Sequence, residues 1–296
     1  SPRGGHEGFY RISGTTRSGK SHLTKLFILD ALRDVESNPH AKLIVYEPKR
    51  EFYKWLASLG LSCPIHYFCP SDARSVALDF VEDFRDEKDA RTLAHAFFPE
   101  RSDRHESPFW GQSLRTIYAS IFLAIKAKLG RADLRLVCLV LEDDETTRKV
   151  LAHDPYLVQA RNLTAKTGEK LDTAVENIHH TVQARIGEMK MIAAHMEHAA
   201  KKRPLFSLRR FIKEPRSGVL VVSKDSDYKY VQDPMNAVLF CRFTQLLDKE
   251  QQHKARKIYV VVDEFPTLAG DDPCPGAKDM FLRLASRGAI PLVTDQ

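Results

Sequence analysis

Short runs of consecutive apolar residues alternate with stretches of helical spacing at both ends of the chain. Segments 9–13, 42–47 (with Leu43-Ile44-Val45-Tyr46), 65–69, 218–223 (GVLVVS), 258–262 (IYVVV) and 290–294 read as strands. The run 258–262 is dense in β-branched residues, as a central parallel strand buried on both faces requires. Between them, 21–35, 51–59, 234–247 and 277–286 carry helical spacing. In the first helix Leu23, Leu26, Phe27 and Leu32 fall near one face, and Pro48 stops the second strand. Strands alternating with helices predict an α/β fold with a mainly parallel sheet covered on both sides.

The rhythm changes between residues 81 and 205, where helical spacing takes over in 87–98, 110–129 and 170–199. In the last of these, Leu171, Val175, Ile178, Val182, Ile186, Met189, Ala193 and Met196 recur every three to four residues, the mark of an amphipathic helix. Met191, His179, His180, His195 and His198 on the same segment read as core and surface positions, not a cofactor site. An all-α insertion (81–205) within an α/β domain (1–80 and 206–296) is the expected organisation.

Composition narrows the class. Of the 296 residues 43% are hydrophobic and 28% charged, which excludes chain-wide disorder and collagen-like or disulfide-stapled architectures. The longest apolar run, 117–125, falls well short of the about 20 residues a membrane span needs. The opening Ser-Pro-Arg-Gly-Gly reads as a cut linker, not a secretory signal. With 45 basic and 39 acidic residues the chain carries +6, which permits a polyanionic partner without requiring one. The clusters Lys49-Arg50, Lys201-Lys202-Arg203 and Arg209-Arg210 suit either such a partner or plain solvation. Cys63, Cys69, Cys138, Cys241 and Cys274 form no C-x-x-C pair and fit buried reduced thiols in a cytoplasmic protein. His66 stands three residues from Cys63 and Cys69, a zinc-like spacing, but on a strand it points away from both thiols.

The chemistry concentrates in two motifs. Gly14-Thr15-Thr16-Arg17-Ser18-Gly19-Lys20-Ser21 matches G-x-x-x-x-G-K-[ST] between a strand and a helix. Its glycines let backbone N–H groups turn inward on phosphate oxygens, and the helix start adds the positive end of its dipole. Lys20 is expected to reach the β- and γ-phosphates of ATP, and Ser21 to ligate Mg²⁺, with His22 beside it. Ile258 to Val262 then runs into Asp263-Glu264, the Walker B form. Asp263 is expected to hold the metal's water shell and Glu264 to polarise the attacking water. Either motif alone is common; together they predict a Mg-dependent ATPase.

Two further positions follow. Gln296 ends the last strand, where a strand lying between the two Walker strands can present a γ-phosphate sensor; an arbitrary chain end is the other reading. Arg287 precedes that strand and could act as an arginine finger on a neighbouring subunit's nucleotide, with Arg283 one turn earlier as the alternative. Either could instead be a plain helix C-terminal cation.

The ordered set of motifs resembles the motor domain of conjugative type IV coupling proteins (TraD-like), within the FtsK/HerA-like P-loop ATPases. It rests on GTTRSGKS, VYEPKREFYKWL at 45–56, CPSDARSVALDF at 69–80 with SPFWGQSLRTIYAS at 107–120, FSLRRFI at 206–212 and VVVDEFPTLAG at 260–270. Glu47 stands where that family often has Asp, and Arg50 where it often has Gly. The loop 271–275 is expected to depart from the family in length. The resemblance implies a RecA-like P-loop NTPase fold with an inserted all-α domain. It implies phosphate binding by Gly19, Lys20 and Ser21, metal and water roles for Asp263 and Glu264, a trans arginine at Arg287 and γ-phosphate sensing by Gln296. It also implies an ATP-driven DNA translocase, a homo-hexamer, and relaxosome and type IV secretion channel partners. The family usually carries an inner-membrane anchor and continues past the last strand, so a cytoplasmic fragment of an anchored protein is expected. A HerA-like or secretion-type ATPase in DNA processing, defence or protein export, and a non-motor nucleotide-binding scaffold, are the alternatives.

Overall fold

The structure is a computed structural model that describes residues 9–15, 18–98, 108–152, 173–225, 227, 229–250, 255–264 and 287–295. The chain divides into two compact units, residues 1–76 with 208–296, and residues 77–207.

The first unit is built on one six-stranded sheet. Its strands are β1 (Tyr10–Ser13), β2 (Ala41–Glu47), β3 (Ile65–Phe68), β4 (Gly218–Ser223), β5 (Lys257–Val262) and β6 (Ala289–Asp295). They lie in the order β1-β6-β5-β2-β4-β3, and all five pairings are parallel. The fold is therefore α/β with a parallel central sheet, as the apolar runs predict. β2 and β4 are buried along their whole length, whereas the edge strand β1 is mostly exposed.

Helices cover both faces. On one, Ile28, Ala31, Leu32 and Val35 of α1 (Lys20–Ser37) pack with Phe52 and Leu56 of α2 (Phe52–Ser58) on Leu43, Val45, Val221, Val261 and Leu292. On the other, Phe240 meets Tyr46 edge-on at 5.8 Å. The buried stripe of α1 differs from the one expected: Leu23 and Leu26 are exposed, and Thr24, Ile28, Ala31, Leu32 and Val35 face inward. The first half of the helix carries extra apolar residues at 23, 26, 27 and 29, whereas the stripe that packs on the sheet is the one spaced Ile28, Ala31, Leu32, Val35. Thr24 tolerates burial because its hydroxyl donates to the Lys20 carbonyl at 3.0 Å.

Glu47 at the end of β2 fixes the start of α2. Its buried carboxylate accepts the N–H groups of Phe52 and, at 3.0 Å, Tyr53, and the Ser223 hydroxyl at 3.0 Å. Burial pushes this carboxyl's pKa up, and the two amide bonds oppose that shift. Glu47→Ala is expected to destabilise the protein by about 2–3 kcal/mol, the cost of leaving buried donors without a charged acceptor. Urea unfolding measures it, and a midpoint equal to wild type would refute this role.

The second unit contains the helices α3 (Phe80–Asp83), α4 (Glu87–Phe97), α5 (Pro108–Leu129), α6 (Leu134–Glu142), α7 (Asp144–Ala152) and α8 (Thr173–Lys202). Its two ends are clasped by a parallel bridge between Leu78 and Phe206. There the Asp79 N–H donates to the Phe206 carbonyl, and the Phe206 N–H to that of Ala77, both at 2.8 Å. On α8, Val182, Ile186, Met189, Ala193 and Met196 are buried as their spacing predicts, and Met191 is exposed.

The chain then returns through α9 (Leu208–Lys213) to β4 and α10 (Lys229–Asp248). α10 starts five residues before the expected Pro234, which sits inside it. The extra turn is anchored to the tip of β4. Gln232 accepts the Asp225 N–H at 2.6 Å and donates to Ser71 at 2.9 Å, while Asp233 pairs with Lys224 at 2.6 Å. Among the described residues, no helix is long and apolar enough to cross a membrane.

Candidate nucleotide site

Parallel pairing brings the C-terminal tips of β1, β6, β5 and β2 to one edge of the sheet. Val262 pairs with Tyr46 on one side and Val293 on the other, and Ser13 with Asp295. One step further along the chain lie Glu47, Asp263 and Thr294. β6 separates the P-loop strand β1 from the acidic strand β5, the arrangement in which a neighbouring strand tip reaches the phosphates. Crevices at the carboxyl edge of a parallel sheet are where such folds bind ligands.

At this edge a cavity of about 280 Å³ is lined by Ser18, Gly19, Lys20, Ser21, His22, Lys49, Asp263, Glu264, Thr294 and Asp295. Gly19 caps α1 with φ 86°, a left-handed conformation that favours glycine. No side chain caps this helix start and no acid lies in its first turn, so its positive end meets the cavity. At Gly14 a Cβ would come within 2.7 Å of the Ser18 hydroxyl, which would have to turn aside. The Lys20 ammonium turns back on the loop, donating to the carbonyls of Gly14 and, at 2.8 Å, Thr15. Thr16, Arg17 and Gln296 lie outside the described residues, as do Cys274, Arg283, loop 271–275 and segment 277–286.

The acids are held from β6. Thr294, itself buried, donates its hydroxyl to Asp263 Oδ1 at 2.6 Å and accepts the Glu264 N–H at 3.0 Å. Glu264 has φ 54°, a strained conformation for a non-glycine residue and one that recurs at functional sites. Its carboxylate pairs with Lys49, and that bond pushes the Lys49 pKa up. Asp295 accepts from Arg11 Nε at 2.8 Å, and its carboxyl is held below the usual range by Arg11 first and Ser13 next. Lys49, Thr294 and Asp295 are cavity residues that sequence reading did not assign to the site: sheet register brings in Thr294 and Asp295, and the loop after β2 brings in Lys49.

Arg287 is not part of this cavity. It lies at the opposite end of β6, roughly 25 Å along the strand, with Nε 3.8 Å from Asp248. Cys63 and Cys69 are buried in the core cluster, while His66 packs on Phe211 with ring centroids 6.1 Å apart. Among the described residues no group of three or more His, Cys, Asp or Glu could hold a metal. Arg50, in the position where glycine was expected, does take the glycine-like conformation, with φ 58°. Its guanidinium offsets the strain by pairing with Asp225 and donating to Ser71 at 3.1 Å and to the Lys224 carbonyl at 3.3 Å.

The family model for the type IV secretion-system coupling protein DNA-binding domain matches residues 5–270. The chain belongs to that family. No curated protein sequence matches it. Among solved structures the coupling-protein fold recurs in the bacterial conjugative coupling protein TrwBdeltaN70 in its unbound monoclinic form, with TM-score 0.73 at 17% identity. Plasmid coupling protein TrwB with the non-hydrolysable ATP analogue ADPNP matches with TM-score 0.72 at 17% identity. TrwB with ADP and Mg²⁺ matches with TM-score 0.71 at 18% identity. Each match covers 97% of this chain and 63% of the relative, so the chain spans under two thirds of the coupling proteins it matches. The RecA-like P-loop fold expected from the motifs is the one these coupling proteins share.

Proposed function

We propose that this chain binds ATP with Mg²⁺ at the β1–β6–β5 edge and hydrolyses it as the motor portion of a DNA-translocating coupling protein. The observation that carries the proposal is the convergence of an uncapped helix start, Lys20 and Ser21 with Asp263 and Glu264 on one cavity, from segments over 240 residues apart in the chain. Backbone amides around Gly19 and the Lys20 ammonium would take the phosphates. The metal donors fit magnesium. A serine hydroxyl and one carboxylate supply hard oxygen, and Mg²⁺ is usually bound by one or two carboxylates together with substrate phosphates. Ser21 and Asp263 would hold it, and it would neutralise charge on the phosphates. Thr294 occupies one Asp263 oxygen and leaves the other for the metal's water shell. Glu264 would accept the proton of the attacking water.

Arg287 and Gln296 keep their proposed roles as trans arginine and γ-phosphate sensor. The distance of Arg287 from its own cavity suits a residue that acts on a neighbouring subunit, and a homo-hexameric ring is the assembly that would use it. The +6 charge suits a sequence-independent grip on DNA phosphates. Relaxosome and secretion-channel components are the partners of such a motor, and a cytoplasmic motor anchored at the inner membrane is its setting.

Steady-state ATPase assays with no DNA, single-stranded DNA and double-stranded DNA test this reading. Turnover that DNA stimulates, and that added salt reduces, is the expected result. DNA-independent turnover favours another pump of the HerA or secretion type. Absent turnover leaves a nucleotide-binding scaffold.

A further inference from the structure

Lys49 sits in the cavity between two anchored neighbours. Glu47 is tied to the start of α2, and Arg50 to Asp225 and Ser71. The loop backbone is thereby pinned on both sides, while the Lys49 side chain is 56% exposed and long enough to swing. Its ammonium forms an ion pair with Glu264, the acid placed to activate water, whose side chain is 21% exposed. Such a half-exposed pair is weakly held. A terminal phosphate entering the same cavity carries more negative charge than one carboxylate and accepts stronger charge-assisted bonds.

We propose that Lys49 is a positioning residue that reports the terminal phosphate to Glu264. With a triphosphate in place, its ammonium leaves the Glu264 carboxylate for the γ-phosphate, and that carboxylate can then take the proton of water. With a diphosphate the ion pair re-forms and the base is occupied. The inference rests on the nucleotide pocket proposed above, and it makes affinity for the γ-phosphate depend on a residue outside both Walker motifs.

Equilibrium binding of fluorescent ADP and a fluorescent non-hydrolysable ATP analogue, with Mg²⁺ present, tests it. Lys49→Met is expected to weaken the ATP analogue about tenfold, the scale of one charge-assisted bond, and to leave ADP binding nearly unchanged. Lys49→Arg should retain the preference for triphosphate. Glu264→Gln, which frees Lys49, should tighten the analogue, and that gain should vanish in the Lys49→Met/Glu264→Gln double variant. Equal weakening of both nucleotides, an unchanged ratio, or a gain that survives in the double variant would each overturn the inference alone. Failure of the wild-type chain to bind either nucleotide would overturn the pocket as well.

Discussion

Lys20→Ala is expected to lower nucleotide turnover about a thousandfold while the protein stays folded. The lysine begins α1, and its ammonium lies in the cavity against the Gly14 and Thr15 carbonyls. These neutral oxygens are weak partners that a phosphate would displace. A cation aimed at charge that develops on the phosphates lowers the barrier, because a preorganised site needs little rearrangement as the charge grows. Removing it should also weaken binding, since charge-assisted bonds to the β- and γ-phosphates are lost. The fold should survive. Lys20 is not among the core residues of α1, and alanine has the highest helix propensity. Circular dichroism and thermal melting should match wild type while hydrolysis falls. Hydrolysis that persists in a folded variant would remove this cavity from the reaction.

Glu264→Gln should produce the complementary result: turnover lower by about 10²–10⁴-fold with nucleotide still bound. Glutamine preserves the size of the side chain and leaves the backbone bond from Glu264 N–H to Thr294 in place. What it lacks is an oxygen that can accept a proton. The positive φ of Glu264 puts strain where the chain passes the cavity, and Thr294 holds that turn in place. Rapid-quench measurement of the hydrolytic step, alongside nucleotide affinity, separates loss of chemistry from loss of binding. Retained single-turnover hydrolysis in Glu264→Gln would assign water activation to another group.

The site was legible in the sequence to the extent that it is local. GTTRSGKS needs only its own glycines and the following helix, and Asp263-Glu264 needs only the apolar strand before it. Thr294 and Asp295 were not legible, because nothing in their neighbourhoods marks them; Lys49 lies in the quoted stretch 45–56, but nothing there ties it to the two motifs. Thr294 becomes informative only once β6 lies beside β5 with Val262 opposite Val293. The expected face of α1 is off because Leu23, Leu26 and Phe27 draw it toward the exposed side, although Ile28, Ala31, Leu32 and Val35 recur at i, i+3, i+4 and i+7, the spacing of the buried stripe. The start of α10 was placed at Pro234 because proline favours a first helical turn. A bond from Gln232 to the remote Ser71 and an ion pair of Asp233 with Lys224 extend the helix upstream instead. α6 and α7 lie outside the expected segments 87–98, 110–129 and 170–199, although their starts carry readable signals. Asp133 accepts the Leu136 N–H at 2.8 Å and Asp143 that of Thr146 at 2.8 Å, each an acidic cap at a helix start.

The place of β6 has a consequence for how the sheet must assemble. Its backbone is a ruler, holding the lysine-bearing loop and the acid-bearing strand two interstrand spacings apart, roughly 10 Å. Sliding it by one residue would turn every side chain over. A second carboxylate, from Asp295, would then replace the threonine hydroxyl beside Asp263. Like charges so close cannot both stay ionised, so the mismatched alignment carries its own electrostatic penalty, and the threonine at this strand tip doubles as a checkpoint on correct registration.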